Sequence, residues 1–379
     1  MINAHCLSGL VLGLLSFLVC AATIANEPVY VELMPRNANK SEGLLRVEIP
    51  EFSPARDELH GFQFALKTPG RVDLNVVSAD GDVIRQLSNN EPFETGQHSI
   101  EWDGRDEDGQ IVPDEAYIPV FIASNDNGQV IDDPRRYSGG EIIFDVQWSL
   151  RGDTELSYTL DNPARVLIRS GVENGPMMRE LLHWKPVNAG KAVMRWDGFD
   201  KDGVEQFAAR DDVWFVVMAY RLPEYSVITT GNTELDYIAY RKAKGWKTPV
   251  PDLAGIELQR DGVRLEQDYF LPRAYLPEVS LEFAQELEVS RVGLPVARES
   301  IQLRIDVPKE DRWILDSSFY ETGFYIDYQF QSEEEQGFVP LIWEYDASNL
   351  APGRHIATVQ LFGFGGFISS DTVEFLITP

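Results

Sequence analysis

Apolar and polar residues alternate with a period of two in several stretches of this chain, the pattern of strands that bury one face. Val72-Asp73-Leu74-Asn75-Val76 alternates, passes Asp80-Gly81, and resumes as Val83-Ile84-Arg85-Gln86-Leu87. Asp-Gly between two such runs predicts a tight hairpin turn, because two-residue turns need φ > 0. Gly96 then opens a strand in which His98, Ile100 and Trp102 share one face. After two more Asp-Gly turns, Tyr117 to Ala123 reads as a returning strand. Pro119 within it cannot donate a ladder hydrogen bond, which predicts an edge position. No stretch holds a 3.6-residue period for long, so the pattern predicts an all-β chain of antiparallel sandwiches.

The same pattern is written twice. Trp102-Asp103-Gly104-Arg105-Asp106-Glu107-Asp108-Gly109 recurs as Trp196-Asp197-Gly198-Phe199-Asp200-Lys201-Asp202-Gly203, 94 residues later. Between Leu66 and Gly109, 15 of 44 positions are identical to the second copy without a gap. The hairpin signal recurs as Asn174-Gly175 and the Gly-led strand as Ala192, Met194 and Trp196 on one face. The second return strand is expected from Val213 to Ala219. About three added residues after Gly203 would bring Trp214 opposite Tyr117.

This combination of hairpin, Gly-led strand ending in Trp-Asp-Gly-x-Asp, second Gly turn and aromatic return strand resembles the immunoglobulin-like module of flagellar hook-capping proteins. The resemblance covers roughly residues 60–125 and 150–222, and it implies small sandwiches used for scaffolding. Ala116 and Val213 stand where such modules usually carry Gly, and the assembly region of a hook-cap protein is missing. A hook-cap role is therefore not implied.

Leu222 to Val279 breaks the repeat. Tyr237 to Lys247 is its basic patch, with four cations among aromatics, read as a solvated loop or as a segment docking on acidic surface. Pro249 and Pro251 follow, then an expected hairpin from Ile256 to Leu265 around Asp261-Gly262. Alternation resumes with Ile301, Leu303, Ile305 and Val307 and continues through Leu341 to Tyr345, Ile356 to Phe362 and Thr372 to Ile377. Trp343-Glu344-Tyr345-Asp346 ahead of Pro352-Gly353-Arg354-His355 is similar to another bacterial immunoglobulin-like domain. Gly363 to Phe367 reads as a Gly-aromatic turn with no following helix, unlike a phosphate-cradling loop.

Leu7 to Val19 is an apolar run, shorter than the roughly 20 residues a membrane span needs. With small residues at Thr23-Ile24-Ala25, residues 1–25 read as a secretory signal cut before Asn26. Cys20 follows Phe17-Leu18-Val19, which lacks the small residue that precedes a lipidated cysteine. Cys6 and Cys20 are the only cysteines, so the mature chain has no disulfide and no thiolate metal site. The expected organisation is a signal at 1–25, an Ig-like repeat with an N-terminal extension at 26–145, and a second repeat at 146–222. A connector at 223–278 leads to an Ig-like sandwich at 279–379. No other run is long enough to span a bilayer.

A net charge of −28 argues against nucleic acid and anionic lipid as partners. Asp103, Asp106 and Asp108, like Asp197, Asp200 and Asp202, offer oxygens for Ca²⁺. Their spacing is not that of an EF-hand, and turn chemistry explains them without a metal. The chain has no Gly-x-Ser-x-Gly elbow, zinc helix or P-loop, and His60, His98, His183 and His355 are scattered in β contexts. No catalytic, cofactor or metal residue is therefore assigned, and no cofactor is expected. The favoured expectation is an exported, non-enzymatic interaction protein of the cell envelope with an envelope or secreted protein as partner. The rival is a glycan- or ligand-binding module protein, since eight tryptophans offer stacking faces. In that contest Trp102, Trp196 and Trp343 read as core anchors, and Trp184 and Trp246 as the best candidates for exposure.

Overall fold

The computed structural model describes residues 29, 31–33, 49–143, 146–246, 259–260, 263–264, 275–317, 319–335, 337–363 and 366–378. The expected signal, both cysteines, Pro249, Pro251 and the Asp261-Gly262 turn lie outside them. The protein is all-β, and its strands pair antiparallel in most ladders. Among the described residues no helix is long and apolar enough to cross a membrane.

The first repeat holds β1 (Val31–Leu33), β2 (Glu51–Phe52), β3 (His60–Leu66), β4 (Gly70–Ser78), β5 (Val83–Phe93), β6 (Gly96–Trp102), β7 (Ala116–Asn125) and β8 (Gly128–Asp132). The sheet β1-β3-β6 faces a sheet containing β7-β4-β5, with β8 paired to the far end of β7. Alternation on β3 and β4 sends Phe62, Phe64, Leu74 and Val76 inward, where they pack with Trp102 and Phe121.

The second repeat holds β9 (Ile142–Ile143), β10 (Gln147–Arg151), β11 (Glu155–Leu160), β12 (Ala164–Val172), β13 (Met177–Val187), β14 (Gly190–Arg195) and β15 (Val213–Arg221). Its sheets are β10-β11-β14 and β13-β12-β15-β9, closed over Leu156, Tyr158, Val166, Ile168 and Phe215.

Two expectations are corrected here. The repeated hairpin loops are not two-residue turns: Gly81 N–H bonds Ser78 O and Ser78 N–H bonds Asp82 O, and Gly175, Val172 and Pro176 repeat the arrangement. Register shifts at Val76/Val77 and Ser170/Gly171 widen both loops, as bulges beside a turn do. Positive φ falls on Gly81 in one copy and on Asn174 in the other. The second insertion is two residues rather than three. Ser78 pairs with Tyr117 and Val172 with Val213, so Val213 takes the place of Tyr117 and Trp214 turns to the other face.

After β15 the chain returns to the first repeat. β16 (Val227–Thr229) pairs antiparallel with Ala116-Tyr117 of β7 and parallel with β2. Next comes α1 (Tyr237–Lys244), where a loop was one of two expectations for the basic run. Asp236 caps it by accepting the N–H groups of Ile238 and Ala239, and Gly245 ends it at φ 67°. Tyr237 and Tyr240 join the first core. β17 (Gln259–Arg260) pairs with β18 (Val263–Arg264) where the connector hairpin was expected.

The last sandwich comprises β19 (Ser280–Phe283), β20 (Glu288–Val289), β21 (Pro295–Ala297), β22 (Ser300–Asp306), α2 (Arg312–Ser317), β23 (Tyr320–Ile326), β24 (Gln329–Glu334), β25 (Leu341–Asp346), β26 (Gly353–Gly363) and β27 (Ile368–Ile377). Sheets β19-β22-β25 and β20-β21-β27-β26-β23-β24 enclose Ile301, Leu303, Ile305, Phe324, Val359 and Phe375.

Candidate docking surfaces

The two acidic strings are turns tied by their own carboxylates. Asp103 accepts Arg105 N–H at 3.1 Å and Asp197 accepts Phe199 N–H at 3.0 Å. Oδ1 of Asp106 takes the N–H groups of Asp108 and Gln110, and Oδ1 of Asp200 those of Val204 and Glu205. These bonds occupy oxygens that a cation would need. Among the described residues no three His, Cys, Asp or Glu side chains are grouped to hold a metal. The copies differ at Oδ2. Asp106 Oδ2 accepts Tyr240 O–H at 2.8 Å and lies 2.7 Å from Lys244 Nζ, both on α1. Burial pushes that carboxyl up, but the Lys244 and Tyr240 bonds outweigh it and leave its pKa below the usual aspartate value. Asp200 Oδ2 is buried without a partner, and burial raises its pKa.

Buried charge joins the repeats. Arg165 of β12 reaches into the first repeat, 2.8 Å from Asp80 and 3.0 Å from Glu115, and its Nε–H donates to Trp184 O. Arg241 of α1, 1% exposed, places Nε 2.8 Å from Asp82 and Nη1 3.6 Å from Asp80, while its guanidinium lies 4.2 Å over the Tyr275 ring. The Arg241 N–H groups are not aligned for hydrogen bonds, so these contacts are ion pairs. Burial opposes charge on Arg165, but Asp80 and Glu115 hold its pKa above the usual arginine value. Arg71, the counterpart of Arg165, merely bonds Asn90 O at the surface. No local pattern distinguishes the two, and the sequence reading assigned neither.

The last sandwich sits on the second repeat. Glu205 accepts Tyr328 O–H at 2.6 Å and pairs with Arg354 at 2.6 Å, and Gln360 accepts Met177 N–H at 3.1 Å. Val172, Met178, Phe207, Tyr328 and Ile356 form an apolar patch across the joint. Asp371 of β27 shares a hydrogen bond with Asp202; burial first, then this bond, push its pKa up to about 7.

The tryptophans separate into core and surface. Trp102 is fully buried and donates its indole N–H to Arg105 O at 2.9 Å. Trp196 is half-buried against Phe207, and Trp343 stacks on Phe324 at 4.6 Å. Trp184, expected exposed, is buried. It lies where the β12–β13 register shifts, at φ 46°, which turns its ring onto Tyr220 at 5.1 Å. Trp246, likewise expected exposed, packs half-buried against Tyr240. The exposed indoles are Trp148 on β10 and Trp214 on β15, neither of which the sequence reading named for exposure. Trp214 stands out of phase with inward Phe215, and that phase is the signal it offered.

Edge strands are the remaining candidates. In the last sandwich β24 carries a bulge and Glu333-Glu334, β25 carries Glu344 and Asp346, and β20 has two residues. Charge, bulge and shortness all discourage strand addition. On β7 of the first repeat, β16 pairs Ala116-Tyr117 and β8 pairs residues 121–125, and Pro119 lies in the gap between them, the edge position expected of it. On β15 of the second repeat, β9 pairs only Ala219 and Tyr220, so residues 213–218 have no outer strand among the described residues.

No family model matches the chain. A stretch of 78 residues, 20% of the chain, is 32% identical to the basal-body rod modification protein FlgD of Salmonella typhimurium, with the same figures for that of Salmonella typhi. The chain spans about a third of the length of these relatives, 33%. The repeated sandwiches are immunoglobulin-like modules. Among solved structures, the fibronectin(III)-like modules of Clostridium thermocellum CbhA match over 92% of this chain and 94% of theirs at 8% identity, with a TM-score of 0.19. The central fibronectin-III array of RIM-binding protein matches over 93% and 97% at 11% identity, with a TM-score of 0.17. At such scores the fold assignment stands on this chain's own paired sheets.

Proposed function

We propose that the protein is an exported, non-enzymatic interaction protein of the bacterial cell envelope that holds its sandwiches in a set arrangement and docks a protein partner. The observation that carries this reading is the buried cluster of Arg165, Arg241, Asp80, Asp82 and Glu115. Its charged groups are spent on orienting one module against another, where breaking a pair would cost about 3–5 kcal/mol. The signal-like residues 1–25 support export, and a net charge of −28 favours a neutral or basic partner. Likeness to part of FlgD supports a scaffolding module and does not extend to a hook-cap role. The glycan-binding alternative loses support from the indoles: Trp148 faces Phe215, whereas Trp214 points to the opposite face, so they form no common stacking platform.

Crosslinking of the mature chain in its own envelope, beside a glycan-binding screen, tests this. A specific protein attached to it is the expected result. A saturable glycan ligand with no attached protein would transfer the case to the binding-module alternative.

A further inference from the structure

Among the described residues the outer edge of β15 lacks the charge, bulge and shortness that protect edges of the last sandwich. Its sequence over residues 213–218 is Val-Trp-Phe-Val-Val-Met, without charge or proline, and its pairing with β12 runs unbroken through nine residues. None of the usual edge protections is present there. Exposed apolar side chains flank it on both faces. Trp214 is 59% exposed on the outer face; on the inner face Trp148 and Leu150 of β10 are 41% and 39% exposed, with the Trp148 ring 5.7 Å from Phe215. Among the described residues β10 pairs only with β11, so it too leaves an edge beside this gap.

The first repeat shows what the corresponding edge receives. There β16, a strand from beyond the second repeat, adds to Ala116-Tyr117 and is buried along its length. The gap that remains is occupied by Pro119, opposite Val76. Phe215, opposite Ser170, takes that place in the second repeat. A proline is tolerated in a strand only where its nitrogen faces no partner, so Phe215 at the same place presents its N–H to the open edge. One copy of the module is thus completed by a strand from a distant part of the chain, and among the described residues the other is not.

Resting on the docking reading above, we infer that residues 213–218 accept an extended strand of the partner protein, with β-branched or aromatic side chains at alternate positions and a lysine or arginine at one end. Backbone hydrogen bonds supply affinity in such strand addition, and alternate side chains supply specificity. Here those side chains meet Trp148 and Leu150 on one face and Trp214 on the other. The basic end follows from Asp211, two residues before β15, and Glu173, whose N–H donates to Asp212 O at 2.8 Å. No cation pairs with either among the described residues, whereas Asp212 is held by Arg210. The occupant is not a second copy, because two chains of net charge −28 repel.

The test uses the full mature chain and a library of short synthetic peptides that alternate Val, Ile or Tyr with Thr and end in two lysines. Hydrogen exchange and indole emission are the readouts. Saturable binding should slow exchange of the 213–218 amides, and backbone N-methylation of the bound peptide should abolish it with the side chains unchanged. Trp148→Glu with Trp214→Glu should weaken binding roughly thirtyfold, as removal of central interface tryptophans does, with the melting temperature checked in parallel. Absence of protection at 213–218 from every library member overturns the inference, as does protection there by self-association without peptide. If crosslinking still finds a protein partner in those cases, the docking reading survives. A peptide bound at β15 with no envelope protein attached leaves the edge a strand acceptor and removes the docking reading.

Discussion

Trp102 and Trp196 close equivalent strands but sit in different surroundings. Trp102 is enclosed by Phe52, Phe62 and Tyr117 with its N–H satisfied, while the Trp196 N–H is buried without an acceptor. Trp102→Ala should therefore cost ~3–5 kcal/mol and Trp196→Ala clearly less in urea unfolding. Equal losses would contradict the difference in burial. Asp371 supplies a pH dependence. A carboxyl whose folded pKa is pushed up to about 7 binds its proton more tightly in the native state. Its contribution is full below the unfolded value near ~4 and is lost as pH rises towards about 7. His355 acts in the same direction: burial lowers its pKa, but hydrogen bonds to Asp327 and Ala351 outweigh it and raise the value, so that contribution too fades as pH rises. Melting temperature should fall from about pH 5 to about pH 8, and Asp371→Asn should make the decline shallower. An unchanged slope in that variant would remove Asp371 as its source.

An isolated helix as short as α1 does not persist in water, where about 12–15 residues are needed for even marginal stability. Its order comes from buried Tyr237 and Tyr240 and from the contacts of Arg241 and Lys244 with acidic turns of the first repeat. Arg241→Ala leaves Asp82 without its cation in a dry site, while Asp80 keeps Arg165, and should destabilise by about 3–5 kcal/mol; Arg241→Met, which keeps much of the volume, should still destabilise through the unpaired Asp82. Hydrogen exchange over 237–244 checks this, since those amides should lose protection first. Strands such as β6, β22 and β25 were legible because period-two alternation survives in them. α1 was not read as a helix because its basic residues mask the short apolar face, although Asp236 before it and Gly245 after it are ordinary helix boundary signals. The exposure of Trp214 was hidden by a one-residue difference in insertion length, which exchanges the two faces of β15.

At the scale of the molecule, the acidic turns are held by backbone N–H groups and by α1, so divalent cations should not support the fold. Melting curves with and without chelator should coincide. A drop of several degrees that Asp106→Asn or Asp200→Asn abolishes would contradict this. The sandwich class and the repeat were visible in the chain because both rest on local pattern. The joints between modules were not, because Arg165, Glu205 and Gln360 make contacts that depend on residues 50 to 183 positions away. Nothing in a local window encodes such distances.

β16 also sets an order of events in time. Val227 and its partner Tyr117 lie about 110 residues apart, with the whole second repeat between them. At a synthesis rate of ~5–20 residues per second, β7 waits roughly 5–20 s for the strand that completes its sheet. The first module made is thus finished only after the second. Were the chain exported, as proposed above, that delay would keep the leading segment threadable while the rest is still being made.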